Sequence, residues 1–332
     1  MPLRTDDTYL PQLLRYKKAG VSIIHINVGA ANIGLEQQFR IASFMHWWLQ
    51  RRPDKYALVE QVEDIPRAID QGKLAVAFNI EGASAIGTQL SLVSSFYDLG
   101  VRWMSLAYNR ANNVGGGCHG NDPGLSDFGR DLLDEMARVG MIACCSHTGY
   151  RTSMDAFEHN DTPVILSHSN ARALTDHPRN IPDELIKACA KNGGVIGING
   201  VGLFLGGNDR MVERLIHHVD HMVQLVGPEH VGLGLDFCFD GLDLDEILDE
   251  FADSFPDGHG YAPGIRFIEP ERMPEITAGL VRLGYPENAI LGILGENFYR
   301  IAKRVWKSPS TQAQRGPETK SWRERPIPTK HA

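Results

Sequence analysis

A (β/α)8 TIM-like barrel, lacking or truncated at its first strand, is the fold this sequence predicts. Three observations carry that expectation. Buried-looking apolar runs begin near residues 21, 74, 101, 141, 163, 194 and 231 and alternate with helical patterns, which implies a parallel sheet with right-handed crossovers. Polar residues (Glu81, Tyr108, Asn109, His147, His168, Asn199, Asp236) follow the C-terminal ends of those runs, the rim where such barrels collect functional groups. Within Met141–Arg179, two apolar runs in consecutive units each end in Ser-His, at His147 and His168, with a helix-like segment between them.

Size and composition agree with one large α/β unit. The chain has 332 residues, 42% hydrophobic, with 34 glycines. We expect a single barrel over residues 1–307 and a polar tail over 308–332. With 33 Lys and Arg against 41 Asp and Glu, the net charge is −8, and no basic tract lies outside the tail, so a nucleic-acid partner is not expected. The longest apolar stretches are about strand length, which gives no membrane span, and no basic-then-apolar leader opens the chain. The five cysteines lack CxxC spacing and read as reduced thiols, consistent with a cytoplasmic protein.

Thr5-Asp6-Asp7 followed by Tyr9–Lys18 reads as a capped helix leading to Gly20. Val21–Val28 is then a buried strand, and Leu35–Arg51 a helix stopped by Pro53. Tyr56–Glu60 is a short strand and Asp64–Gln71 a helix ended by Gly72. Leu74–Ile80 is the next strand, followed by helix Leu90–Leu99 and strand Val101–Ala107. The long Gly- and Asn-rich loop Arg110–Pro123 is of the kind that more often serves function than connection. Ser126 caps helix Asp127–Val139, and Met141–Cys145, Tyr150–His159 and Pro163–Leu166 form the two Ser-His units. Cys144 and Cys145, adjacent in a strand, should point to opposite faces.

Helix Pro182–Asn192, strand Val195–Asn199, helix Met211–Val226 and strand His230–Leu235 follow. Gly241–Gly264 reads as an irregular excursion, and Met273–Leu283 and Glu287–Val305 as closing helices. Seven strong strands are one short of eight. Either Tyr56–Glu60 is the eighth, or a first strand is missing before residue 1, as the helix-first start suggests. In the second case we expect an open apolar edge, repaired by a nearby segment or reflected in lower stability.

Paired imidazoles at neighbouring strand ends suit Zn²⁺ or a similar borderline metal; the plainer alternative is two unrelated strand-capping histidines. Glu81 closes an apolar run and, if buried, needs a cation. A metal shared with His147 and His168 would supply one, as would an arginine. Asp236, in GLGLDF, suits general acid/base work on a metal-activated water, or else a turn. Arg179, eleven residues after His168, offers a planar fork to a substrate carboxylate, or else a surface ion pair. His119, His177 and His217–His218 read as structural or solvated.

Six motifs in order, NIEGA around Glu81, GLSDFGRDLLDEMARVGM, CCSH at His147, PVILSHSNARALTDHPRNIPDELI, HVGLGLDF and GENFYRIAKRVW, make the stretch from about Ala19 to Trp306 resemble the membrane (renal) dipeptidase family of the amidohydrolase superfamily. The resemblance implies a (β/α)8 barrel with a two-metal zinc site that hydrolyses dipeptides, often as a homodimer. It implies Glu81 bridging the metals, His147 and His168 ligating one of them, Asp236 as the acid/base, and Arg179 on the C-terminal carboxylate of the dipeptide. Three departures stand out. The HxD motif expected on the first strand is absent, and His25-Ile26-Asn27 lies on what should be the second strand. Tyr108-Asn109 replaces a His-Asn pair whose His contacts the substrate. GLGLDFCFDG carries an extra residue, so Asp240 has no safe counterpart. The absent HxD leaves open how many metals bind. It also leaves as alternatives a catalytically impaired binding barrel and a hydrolase of other small amides or lactones.

Overall fold

A computed structural model describes residues 10–159, 161–239 and 241–307. The expected tail at 308–332, the Thr5-Asp6-Asp7 cap and Asp240 lie outside the described residues. Seven strands form: β1 (Ile23–Ala30), β2 (Tyr56–Leu58), β3 (Leu74–Glu81), β4 (Val101–Ser105), β5 (Ile142–Cys144), β6 (Ile196–Ile198) and β7 (Val231–Leu233). The principal helices are α1 (Leu14–Lys18), α2 (Leu35–Gln50), α3 (Asp64–Asp70), α4 (Leu92–Asp98), α5 (Asp127–Val139), α6 (Tyr150–His159) and α7 (Asp183–Lys191). They continue with α8 (Gly202–Leu205), α9 (Met211–Val226), α10 (Gly241–Glu250), α11 (Met273–Arg282), α12 (Glu287–Leu291) and α13 (Asn297–Val305). Among the described residues no helix is long and apolar enough to cross a membrane.

The pairing runs as one parallel arc. β1 lies against β3 from Ile23↔Ala75 to Ala30↔Glu81. β3 pairs with β4, and β4 with β5. Single parallel bridges, Cys144↔Ile165 and Leu166↔Ile196, thread the Pro163–Leu166 run between β5 and β6, and β6 pairs with β7. This is the α/β barrel order that the sequence predicts, with seven staves.

β2 is not an eighth stave. It pairs with Leu74–Val76 at the start of β3, while β4 joins the same strand from Phe78 onward. Since β1 occupies the opposite edge of β3, β2 and β4 share one edge end to end. Arg102 of β4 fastens this junction by donating to the Glu60 carbonyl at 2.6 Å and the Tyr97 carbonyl at 2.7 Å.

No pairing joins β7 to β1 among the described residues. Instead, Leu10 and Leu13, ahead of α1, are buried in the main core. Tyr16 of α1 sets its ring edge-on to Phe237 and Phe239, and Arg15 ion-pairs with Glu269 and Glu271.

The staves divide their side chains between two faces, as alternation requires. Val76, Phe78, Ile80, Met104 and Cys145 pack in the large cluster with the outer helices. Trp103, Ile142, Cys144, Ile165 and Val195 point the other way and pack with Ile301 and Val305 of α13. The helix therefore floors the barrel interior. Residues such as Ile301, fully buried here, contribute about 1.5–3 kcal/mol each by removal from water. Gly140 ends α5 in the left-handed region (φ 97°), and a Cβ there would meet the backbone nitrogen of Lys307 at 2.7 Å. The turn thus admits close passage of the chain leaving α13.

Two expectations change. The 241–264 excursion, expected to be irregular, opens with α10. The expected Glu287–Val305 helix is α12 and α13 joined by a π-helical segment, Gly292–Glu296, because the glycine-rich GILGE step loosens the i→i−4 ladder.

Candidate metal centre

Glu81, His147 and His168 meet at the rim. Each is carried by the C-terminal end of a stave, and each is at most 7% exposed. Their ligating atoms all lie within 4.8 Å of one another. The two Nε2 atoms are 2.8 Å apart, and Glu81 Oε1 is 3.3 Å from His168 Nε2 and 4.0 Å from His147 Nε2.

The outer nitrogens show which atoms face inward. His147 Nδ1 is 2.7 Å from Asn109 Oδ1. The Asn109 amide is itself oriented, because its Nδ2 donates to the Ser254 carbonyl at 3.0 Å. An amide oxygen only accepts, so the His147 proton belongs on Nδ1. His168 Nδ1 lies 2.8 Å from Ser167 Oγ, which can accept in the same way. With their protons on the outer nitrogens, both Nε2 lone pairs converge beside the buried Glu81 carboxyl. Two imidazole lone pairs and a carboxylate in contact are mutually repulsive until a cation sits among them, and neutral imidazoles with engaged outer nitrogens are the form in which histidine binds metals. The donor set fits a borderline divalent ion.

The electrostatics agree. Burial first, then the charge of Asp236, pushes the Glu81 carboxyl up to about 8. Burial, then Arg179, holds both His147 and His168 well below the usual imidazole range. The pocket disfavours the charged forms of Glu81, His147 and His168 in isolation, which a bound cation would reverse for Glu81.

Asp236 follows β7 in the left-handed region (φ 54°) and accepts from Asn199 Nδ2 at 3.1 Å. Its carboxyl is raised by burial, opposed by Arg179. Arg179 is 3% exposed. Its Nη2 donates to the His168 carbonyl at 3.0 Å, and its Nε lies 3.1 Å from His147 Nδ1. Asn109 is the closer partner of that nitrogen, at 2.7 Å. Tyr108 stacks its ring on His147 with centroids 4.2 Å apart. A cavity of about 220 Å³ reaches His147 and Arg179 between Cys118, Thr148, Arg172 and Ile181.

Glu81, Tyr108, Asn109, His147, His168, Arg179 and Asp236 therefore gather at the mouth. Asn109 pairs with the His147 ring there. Two further residues escape a sequence reading. Asn27 of β1 donates to Glu81 Oε2 at 3.0 Å, and Ser167 supports His168. The signal for Asn27 is its place, with His25, as a polar residue in a mostly apolar run.

Comparison with known proteins follows the same lines. Over 247 residues, 71% of this chain and 54% of that protein, the sequence is 32% identical to an uncharacterized dipeptidase of Schizosaccharomyces pombe. It is 30% identical over 257 residues to a dipeptidase of Claviceps purpurea, covering 76% of this chain and 56% of that one. The chain spans about half the length of these curated relatives. Among solved structures, an amidohydrolase from Pseudomonas aeruginosa superposes with a TM-score of 0.82 at 29% identity, over 88% of this chain and 91% of that one. The sequence profile of the membrane dipeptidases matches residues 17–315. That stretch carries every stave of the barrel and all three converging side chains, and with it the chain belongs to the membrane dipeptidase family, peptidase family M19.

Proposed function

We propose that this protein is a zinc-dependent dipeptidase that hydrolyses the peptide bond of small dipeptides. The observation that carries the reading is the convergence of two histidine lone pairs on the buried Glu81 carboxylate. Glu81, His147 and His168 would hold the ion, and Asn27 and Asn109 keep two of these ligands in place. Zinc supplies Lewis acidity, lowering the pKa of water toward neutrality and polarising a carbonyl.

The remaining work falls to the chain. Asp236, on the same rim and in the field of Arg179, accepts the proton of the attacking water and returns it to the leaving amine. Asn199 fixes which carboxylate oxygen is engaged. Arg179 offers its guanidinium to the dipeptide's terminal carboxylate, which sets the register of the scissile bond. Tyr108 packs against His147 as a wall. Its hydroxyl is held well above its ordinary pKa by burial, so it stays a neutral hydrogen-bond donor where a histidine could also carry a proton.

Elemental analysis of protein purified without chelator, together with a dipeptide panel, tests the reading. About one or two zinc per chain with dipeptide hydrolysis is expected; two would show that donors beyond the three converging ligands complete a second site. Absence of zinc after loading, or loaded protein that cleaves lactones but no dipeptide, would overturn it.

A further inference from the structure

The mouth holds a second group of imidazoles that the mechanism above does not use. The loop after β4 returns to the rim as a short strip. Cys118 N–H donates to the His147 carbonyl at 2.9 Å, His119 N–H donates to the Asn109 carbonyl at 2.7 Å, and Gly117 bridges antiparallel to Thr148. His119 is thereby fixed between the ends of β4 and β5, and it is only 3% exposed. Its ring stacks on His259 with centroids 5.1 Å apart. Its Nε2 lies 2.8 Å from the Tyr261 hydroxyl. Its Nδ1 is buried and has no hydrogen-bond partner among the described residues. A buried polar atom left unmatched calls for an explanation.

Neighbouring His177 shows the contrast. Its Nδ1 accepts from the Arg179 N–H at 3.0 Å, and its Nε2 donates to the His259 carbonyl at 2.9 Å, so both nitrogens are used. The His177 and His119 ring centroids are 6.3 Å apart. His119 thus lies one ring away from the backbone that carries Arg179.

Counting protons selects the tautomer of His119. If Tyr261 donates to Nε2, the phenol proton and Nε2 are both satisfied, and one group, Nδ1–H, is left. If Nε2–H donates instead, both the phenol proton and the Nδ1 lone pair are left. The first arrangement strands fewer groups, and it presents a donor in need of an acceptor. Burial first, then His259 and His177, lowers His119 to about 3. The donor is therefore uncharged and can stand near the buried Arg179 guanidinium without adding a second cation.

We propose that His119 is a substrate-binding residue that donates from Nδ1 to the terminal carboxylate of a dipeptide held by Arg179. The inference rests on the dipeptidase reading and deepens it. One carboxylate has lone pairs enough for a guanidinium and an imidazole donor together. The pairing would favour substrates ending in a free carboxylate over those ending in an amide.

The test compares the zinc-loaded full chain with its His119→Phe and His119→Asn variants on L-Ala-L-Ala and on the C-terminal amide of the same dipeptide. Asparagine retains a donor near the position of Nδ1, and phenylalanine has none. For the free acid, His119→Phe should lower kcat/KM about 10- to 100-fold, the range of a hydrogen bond to a charged group, chiefly through KM. For the amide it should change kcat/KM by less than about threefold on the same scale. His119→Asn should recover much of the loss. Equal losses on acid and amide, or no loss on either, would overturn the proposal while leaving the dipeptidase reading intact. Wild-type protein that cleaves neither compound, nor any dipeptide of a wider panel, would remove that reading and this inference with it.

Discussion

Asn109 accepts the His147 Nδ1 proton at 2.7 Å while donating its own amide to the Ser254 carbonyl at 3.0 Å. One side chain thus joins the His147 imidazole to the excursion that follows β7. Asn109 also sits in the left-handed region (φ 59°), which asparagine tolerates better than most residues. We predict that Asn109→Gly, which removes the amide without adding backbone strain, weakens zinc binding about 10- to 100-fold, the usual effect of losing such a support. Competition with a chromophoric chelator measures it. Affinity within twofold of wild type would show that His147 is oriented by other means.

Asp236→Asn should fold and keep its metal, because asparagine also accepts a positive φ and can still meet Asn199. Turnover should drop about 10²- to 10⁴-fold, the scale of a lost acid/base. Steady-state kinetics alongside metal content decides the matter. A near wild-type kcat would assign the proton transfer elsewhere.

His218 gives a pH dependence away from the metal. It is 1% exposed, its Nδ1 accepts the Ala171 N–H at 3.1 Å, and burial first, then His221 and His217, lowers it from 6.5 to about 4. Between those values the unfolded chain binds the proton and the folded chain does not, so stability rises with pH across the window and is lost on acidification. The loss approaches about 3 kcal/mol once both pKa values are passed. Urea unfolding at pH 7 and near pH 4.5, in wild type and His218→Asn, isolates the effect by difference. An identical pH slope in the two proteins would refute it.

Ile301→Ala should cost about 2–5 kcal/mol, the range for emptying a well-packed core position, because the side chain is fully buried between α13 and the staves. Denaturant midpoints measure it. A cost below about 1 kcal/mol would mean that the floor can collapse around the gap.

Much of this architecture was legible in the sequence because buried staves are written as apolar runs and helix ends as Gly or Ser. The predicted ranges Asp127–Val139, Tyr150–His159 and Met211–Val226 coincide with α5, α6 and α9, and Ser126 caps α5 by accepting from Gly129 N–H at 2.9 Å. The twin Ser-His ends and the carboxylate ending an apolar run located three residues whose side chains converge. What the sequence hid was pairing. Nothing in Tyr56–Leu58 shows that it shares an edge of β3 with β4. Nor does local pattern show that Asn27 lies beside Glu81, since that depends on β1 meeting β3 directly. The hydrogen bond from His147 to Asn109 is hidden for the same reason, since it joins the ends of two staves. His119 was read as structural or solvated. Only the unmatched Nδ1, which is invisible in sequence, sets it apart.

The floor supplied by α13 also bears on how the protein is made. Trp103 of β4 finds its packing partners in Ile301 and Val305, some 200 positions later in the chain. During synthesis the early staves emerge with one face destined for helices that follow soon, and the other for a helix far downstream. Until then that inward face has no covering, and such late, long-range closure is slow and exposes sticky surface. A nascent chain stalled before residue 297 would therefore be a natural client for chaperones, and the final step of folding is less the addition of a last element than the sealing of a vessel from beneath.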